Sequence, residues 1–134
     1  MRAKLIIGVF LVALFLLSYH VINLGQREAY TVLYFSDPVR PLLYDAESKT
    51  IAFNFTIENH EYSLRDYTYR IKLLSAEGVE LAFKEGEVEL RHGENATLSE
   101  ELMIAENPLG GKLYVELYVN TSKEPYRSIW QRIR

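Results

Sequence analysis

Thr50-Ile51-Ala52-Phe53-Asn54-Phe55-Thr56-Ile57-Glu58 is the stretch from which the fold can be read. Ile51, Phe53, Phe55 and Ile57 fall on one side of an extended chain, and Ala52, Asn54, Thr56 and Glu58 on the other. In a strand successive side chains alternate between faces, so this spacing describes one buried and one solvated face. A helix would scatter these four apolar side chains around its axis.

The same period runs outward in both directions. Upstream, Tyr30–Phe35 is a strand candidate, and residues 36–41, with Asp37-Pro38 and Pro41, form a break. Downstream, Asn59–Asp66 is a polar connection, after which Tyr67, Tyr69, Ile71 and Leu73 alternate with Thr68, Arg70 and Lys72. Ala76-Glu77-Gly78 is a turn before Val79, Leu81 and Phe83, and Gly86 marks a bulge or turn before Val88 and Leu90. His92–Asn95 turns the chain into Ala96–Ile104, with Leu98, Leu102 and Ile104 on one face. Residues 107–111 break it again, ahead of the alternating Leu113, Val115, Leu117 and Val119. Tyr126–Ile133 is the last strand. There Trp130 and Tyr126 oppose Ile129 and Ile133, and the larger burial offered by the aromatics favours them as the inward pair. Seven or eight short strands with regular turns predict an all-β protein, an immunoglobulin-like β-sandwich.

The first residues break this pattern. Leu5–Leu17 is apolar apart from Gly8, and the stretch continues less strongly to Leu24. As a helix, residues 5–24 span roughly 30 Å, the thickness of a bilayer core. The eleven Leu, Ile, Val and Phe side chains up to Leu17 favour insertion by about 3 to 7 kcal/mol. A cleavable signal peptide has a similar basic start and apolar core, but residues 21–25 supply no small-residue cleavage pattern. The expected organisation is an N-terminal transmembrane helix (or uncleaved signal) at 1–24, a short linker at 25–29 and an extracytoplasmic domain at 30–134. Arg2 and Lys4 predict a cytoplasmic N-terminus in a single-pass cell-membrane protein.

Charge and composition narrow the function classes. With Arg2 and Lys4 set aside, 13 basic residues face 18 acidic ones, leaving a domain of about −5. No nucleic-acid partner is expected, because that binding needs a basic footprint. The absence of cysteine excludes disulfides and zinc–thiolate sites. His20, His60 and His92 lack metal-ligand spacing, with His60 and His92 placed in loops, so neither a metal nor another cofactor is expected. Asp37, Asp45 and Asp66 fall in turns, where aspartate makes local hydrogen bonds, and the Glu87/Glu89 pair reads as a solvated strand face. Nothing resembles a nucleophile elbow, a phosphate loop or a metalloprotease helix, so no enzyme is expected.

Two features point toward recognition. Asn54, Asn95 and Asn120 each begin an N-x-[ST] sequon. Three sequons among six asparagines exceed what 14 Ser and Thr in 134 residues would place by chance, so these asparagines are glycosylation candidates. The alternative is that asparagine and threonine gather at turns, which fits Asn95 and Asn120. There are also ten tyrosines. Tyr114 and Tyr118 oppose the aliphatic face of their strand, and Trp130 neighbours them if the last strand pairs there. Such a face can bind protein or stack on sugars, although half-exposed tyrosines also pack across strands for stability alone.

The closing run Glu124-Pro125-Tyr126-Arg127-Ser128-Ile129-Trp130 resembles the end of the extracytoplasmic domain in the archaeal DUF1616 membrane-protein family. Residues 57–61 and 93–97 are loosely similar to that family's earlier strand-end and turn segments. The resemblance implies an archaeal surface protein with a sandwich domain and brings no enzymatic activity with it. The chain departs from the family in having one apolar helix where many members have several.

The expected function is therefore that of a non-catalytic, membrane-anchored interaction module, an accessory subunit of a membrane or envelope assembly with a protein partner there. The alternative is a carbohydrate- or ligand-binding domain in which glycans meet the tyrosine face.

Overall fold

The computed structural model describes residues 2–25, 28–38, 42–120 and 122–134. Part of the 25–29 linker, Pro41 of the first break and Thr121 of the third sequon lie outside the described residues. The described chain is one helix followed by eight strands.

Helix α1, Arg2–Gly25, is 24 residues long, roughly 36 Å at 1.5 Å per residue. Its Arg2–His20 portion has a mean hydropathy of 2.0 and is not covered by the rest of the protein. It is a single N-terminal apolar helix long enough to cross a membrane, a property it shares with signal sequences.

The strands form a two-sheet sandwich. In the first sheet, β3 (Thr50–His60) is central. β6 (Asn95–Met103) takes one edge of it, while β1 (Tyr30–Phe35) and the two-residue β2 (Tyr44–Asp45) share the other. The second sheet has the order β5-β4-β7-β8, with β4 at Arg65–Leu74, β5 at Glu80–Leu90, β7 at Lys112–Val119 and β8 at Arg127–Arg132. All strand pairs are antiparallel. The chain changes sheet between β3 and β4, β5 and β6, and β6 and β7. Apart from the short β2, this is an immunoglobulin-like arrangement in which the strand after C remains beside it, giving A-B-E against C′-C-F-G.

Ile51, Phe53, Phe55 and Ile57 meet Tyr67, Tyr69, Ile71, Leu73, Leu113, Val115 and Leu117 in the core. Val119, expected in this set, is half-buried at the end of its strand. The antiparallel register defines two poles. The start of β1 and the β3–β4, β5–β6 and β7–β8 turns lie at the near pole. The β2–β3, β4–β5 and β6–β7 connections lie at the far pole.

Two local expectations are corrected. Gly86 is neither a bulge nor a turn: it pairs in register with Tyr69, and the irregularity lies at Leu73/Leu74, opposite Leu81. A Cβ on Gly86 would lie 2.1 Å from Tyr69 Oη, so glycine is needed there to admit the ring. With the register kept through Gly86, Phe83 faces solvent and Lys84 faces inward. The second correction concerns β8. Ile133 is 1% exposed and Trp130 53%, while Tyr126 is also exposed, so the isoleucine side packs inward. The polar residues of that side are accommodated at the sandwich edge. Arg127 reaches across to donate from Nε to the backbone oxygen of Thr31 in β1, at 3.1 Å.

Candidate interaction surface

The register fixes which side chains share the outer face of the second sheet. Lys72 lies opposite Phe83 on one side and Tyr114 on the other, and Tyr114 lies opposite Trp130. Phe83, Lys72, Tyr114 and Trp130 thus form one row across all four strands. Neighbouring strands are about 4.8 Å apart, so the row is roughly 14 Å wide. The Tyr114 and Trp130 rings lie 6.4 Å apart, tilted by 36°. Lys112 places its ammonium 4.5 Å from the centre of the Trp130 ring, and Arg132 lies opposite Lys112. Phe83 and Trp130 are both about half exposed.

The next row toward the near pole is self-satisfied. Arg70 pairs with Glu85 at 2.8 Å and covers the Tyr118 ring, and Lys72 lies 3.4 Å from Glu116. The Tyr118 hydroxyl donates to Glu116, and this bond, followed by burial, raises its pKa. Tyr118 is only 5% exposed. Of the three aromatic candidates, Tyr114 and Trp130 come together on open surface, whereas Tyr118 lies beneath Arg70. Beyond it, Glu87, Glu89 and Asp66 form an acidic margin, with both glutamates exposed as expected of a solvated face; Asp66, expected in a turn, is instead in β4, its backbone paired with Glu89. On this face Phe83, Tyr114, Trp130, Lys112 and Arg132 lie toward the far pole, with Glu80 at the β5 end of the Lys112 row, and Glu87, Glu89 and Asp66 lie toward the near pole.

Phe83, Lys72 and Lys112 had no distinct sequence signal. Each is an ordinary alternating strand residue until the strand order and the Leu73/Leu74 irregularity are known.

The sequons lie elsewhere. Asn54 and Asn95 are exposed on the outer face of the first sheet, opposite Ser99 and Glu58 respectively. The Thr56 and Thr97 hydroxyls are hydrogen-bonded to each other at 2.9 Å. Asn120 is exposed at the end of β7, with φ 55°.

Among the described residues, no three His, Asp or Glu side chains gather as metal ligands. His60 is the last residue of β3 and not a loop residue, because its backbone pairs with Tyr30; His92 is in the β5–β6 turn. Asp45 accepts hydrogen bonds from the Glu47 and Ser48 backbone amides at 3.0 and 3.4 Å, the expected local turn role. Hydrogen bonding, led by Ser48, lowers its pKa. It borders an open cleft of about 360 Å³ with Asp37, Leu42, Thr50 and Asn54.

No family model matches the chain, and no curated protein matches it. Solved structures similar in fold include a chain from Bacteroides fragilis assigned as a beta-galactosidase, with 12% identity and a TM-score of 0.55 over 74% of this chain. A mutant beta-glucosidase from Listeria innocua in complex with laminaribiose has 17% identity and a TM-score of 0.53 over 82%. Another structure of a beta-glucosidase from Listeria innocua has 17% identity and a TM-score of 0.52 over 81%. The match spans only 15%, 17% and 16% of those chains, respectively. At these identities the likeness is one of fold.

Proposed function

We propose that the chain is a membrane-tethered, non-catalytic interaction module that presents the outer face of its second sheet to an anionic surface of a membrane or envelope protein. The supporting observation is Trp130, half exposed beside Tyr114 with Lys112 over its ring, in a domain that is otherwise acidic. Large aromatics that are rigid before binding are the usual anchors of protein contacts, and flanking cations select the charge of the partner. In this reading α1 stays uncleaved in the cell membrane. Arg2 and Lys4 hold the N-terminus in the cytoplasm, and the sandwich is extracytoplasmic. Glycans on Asn54 and Asn95 would occupy the first sheet's outer face, and one on Asn120 would stand at the near-pole end of β7, six residues from Tyr114 along the strand. An archaeal cell surface, implied by the resemblance of the closing run, is one setting for such a protein.

The test is co-purification from native membranes in detergent with identification of partners by mass spectrometry. Trp130→Ala and Lys112→Glu should each reduce partner recovery at least tenfold without lowering the amount of protein in the membrane. Unchanged recovery in both variants would remove this face as the contact.

A second reading, a carbohydrate-binding domain, is favoured by the Tyr114–Trp130 ring pair, since exposed rings also stack on sugars. The glycosidase structures support the fold alone. Glycan binding abolished by Trp130→Ala and Tyr114→Ala but unaffected by Lys112→Glu would select this reading.

A further inference from the structure

We propose that the near pole of the sandwich rests on the lipid headgroup layer of the membrane that holds α1, so that the domain is docked on the bilayer as well as tied to it. This rests on the membrane-tethered reading of α1.

Covalent reach gives the first reason. Helix α1 ends at Gly25 and β1 begins at Tyr30. Five residue steps of fully extended chain cover at most roughly 18 Å. Tyr30 is at the near pole, so that end of the domain must lie within this distance of the helix end.

The pole's composition gives the second. Four rings lie in sequence across it. Tyr30 stacks on His60 with centroids 4.7 Å apart, His60 meets His92 edge-on at 6.4 Å, and His92 stacks on Tyr62 at 4.4 Å. Tyr30, Tyr62 and the adjacent Leu64 are each about half exposed. Tyrosine is one of the two side chains that collect at membrane–water boundaries, and His60 and His92 lie between Tyr30 and Tyr62 in the array. The far-pole connections at 46–49, 75–79 and 105–111 contain no aromatic residue.

The array is also built to hold its shape. Asn59, fully buried, donates from Nδ2 to the backbone oxygens of Ser63 and Leu90 and accepts from the Glu61 amide. Its own backbone bonds to Gly93 and Glu94, so one residue fixes both turns that carry the rings. Tyr62 has φ 59°, an uncommon conformation for a bulky residue, and its amide donates to His92 Nδ1 at 3.1 Å. A strained residue held in place to expose a ring is consistent with use of that ring.

The test uses the full chain in nanodiscs of zwitterionic phosphatidylcholine, because the carboxylates that border this pole would be repelled by an anionic lipid. The protein has no cysteine, so one introduced thiol carries one fluorophore. Ser63→Cys places it in the near-pole turn and Glu77→Cys in a far-pole turn. The label at 63 should be quenched several-fold more than the label at 77 by headgroup-attached nitroxide, and several-fold less by aqueous iodide. Tyr62→Ser with Leu64→Ser should bring the label at 63 to the values at 77. Quenching at 63 that this pair of substitutions leaves unchanged, in a chain that co-elutes with the discs, would mean that the tether alone brings the turn close and would overturn the docking, as would equal quenching at 63 and 77. A chain that does not co-elute would overturn both. Shielding of 63 from iodide without headgroup quenching would mean that a second copy of the chain covers the turn, and would also overturn the proposal.

Discussion

Gly86 and Tyr69 show how one side chain depends on the absence of another. The Tyr69 ring passes over Gly86 on the neighbouring strand, with Cζ 2.2 Å from where a Cβ would be. The ring packs edge-on against Phe55, and its hydroxyl donates to Glu100 of the opposite sheet at 2.9 Å. Glu100 also pairs with the inward-facing Lys84. Gly86→Ala should therefore destabilise the domain by about 2 to 3 kcal/mol, the upper range for overpacking, because the ring cannot retreat without leaving Phe55. In a Tyr69→Ala background the same change should cost much less, since the obstruction is gone. Urea denaturation of the four proteins of this double-mutant cycle measures the difference. Additive effects would show that the ring moves freely and that the contact is unimportant.

Strand β8 shows what can and cannot be read from alternation. The central strands were legible because four consecutive alternate positions in β3 and in β7 are aliphatic or aromatic, leaving one possible inner face. β8 offers two isoleucines among Arg127 and Gln131 on one side, and Tyr126 and Trp130 beside Ser128 and Arg132 on the other. Area alone favours the aromatics, but its partner strand decides otherwise. Val115 faces the core and lies opposite Ile129, so Ile129 must face inward too. The candidate site was legible in part for the same reason: Tyr114 and Trp130 could be named as neighbours from the chain, whereas Phe83 and Lys72 required the pairing, and Tyr118 was hidden by an arginine three strands earlier in sequence. Ile133→Ala should cost about 2 to 5 kcal/mol in chemical denaturation. Trp130→Ala should change stability by less than about 1 kcal/mol, as expected for an exposed substitution. The reverse ranking would mean that the strand pairs in the opposite facing.

Across the whole molecule, tyrosine hydroxyls join the two sheets. Tyr69 reaches Glu100 of β6, and Tyr67 shares a 2.8 Å hydrogen bond with the buried Thr31 of β1. Thr31 in turn donates to Glu61, whose carboxylate also accepts from Tyr126 at 2.8 Å. With no disulfide between sheets, these bonds and the apolar core hold the layers in register. They also make the sandwich sensitive to alkali. Burial, reinforced by the Glu100 carboxylate, pushes the Tyr69 hydroxyl up to about 12. Burial likewise raises that of Tyr67, with the Thr31 bond opposing it. An unfolded tyrosine ionises near pH 10. Between about pH 10 and 12 the native state keeps a proton on Tyr69 that the unfolded chain has lost, so stability must fall as pH rises through that window. Below about pH 10 this contribution is fully present. The urea midpoint should thus be steady from neutral pH to about pH 9 and then decline. Tyr69→Phe keeps the ring but removes the titrating hydroxyl. It should start from a lower stability, by about 1.5 to 3 kcal/mol for a lost bond to a charged acceptor, and decline less steeply above pH 10. Parallel curves for the two proteins would place the alkaline loss elsewhere and remove Tyr69 as a pH-sensitive link between the sheets.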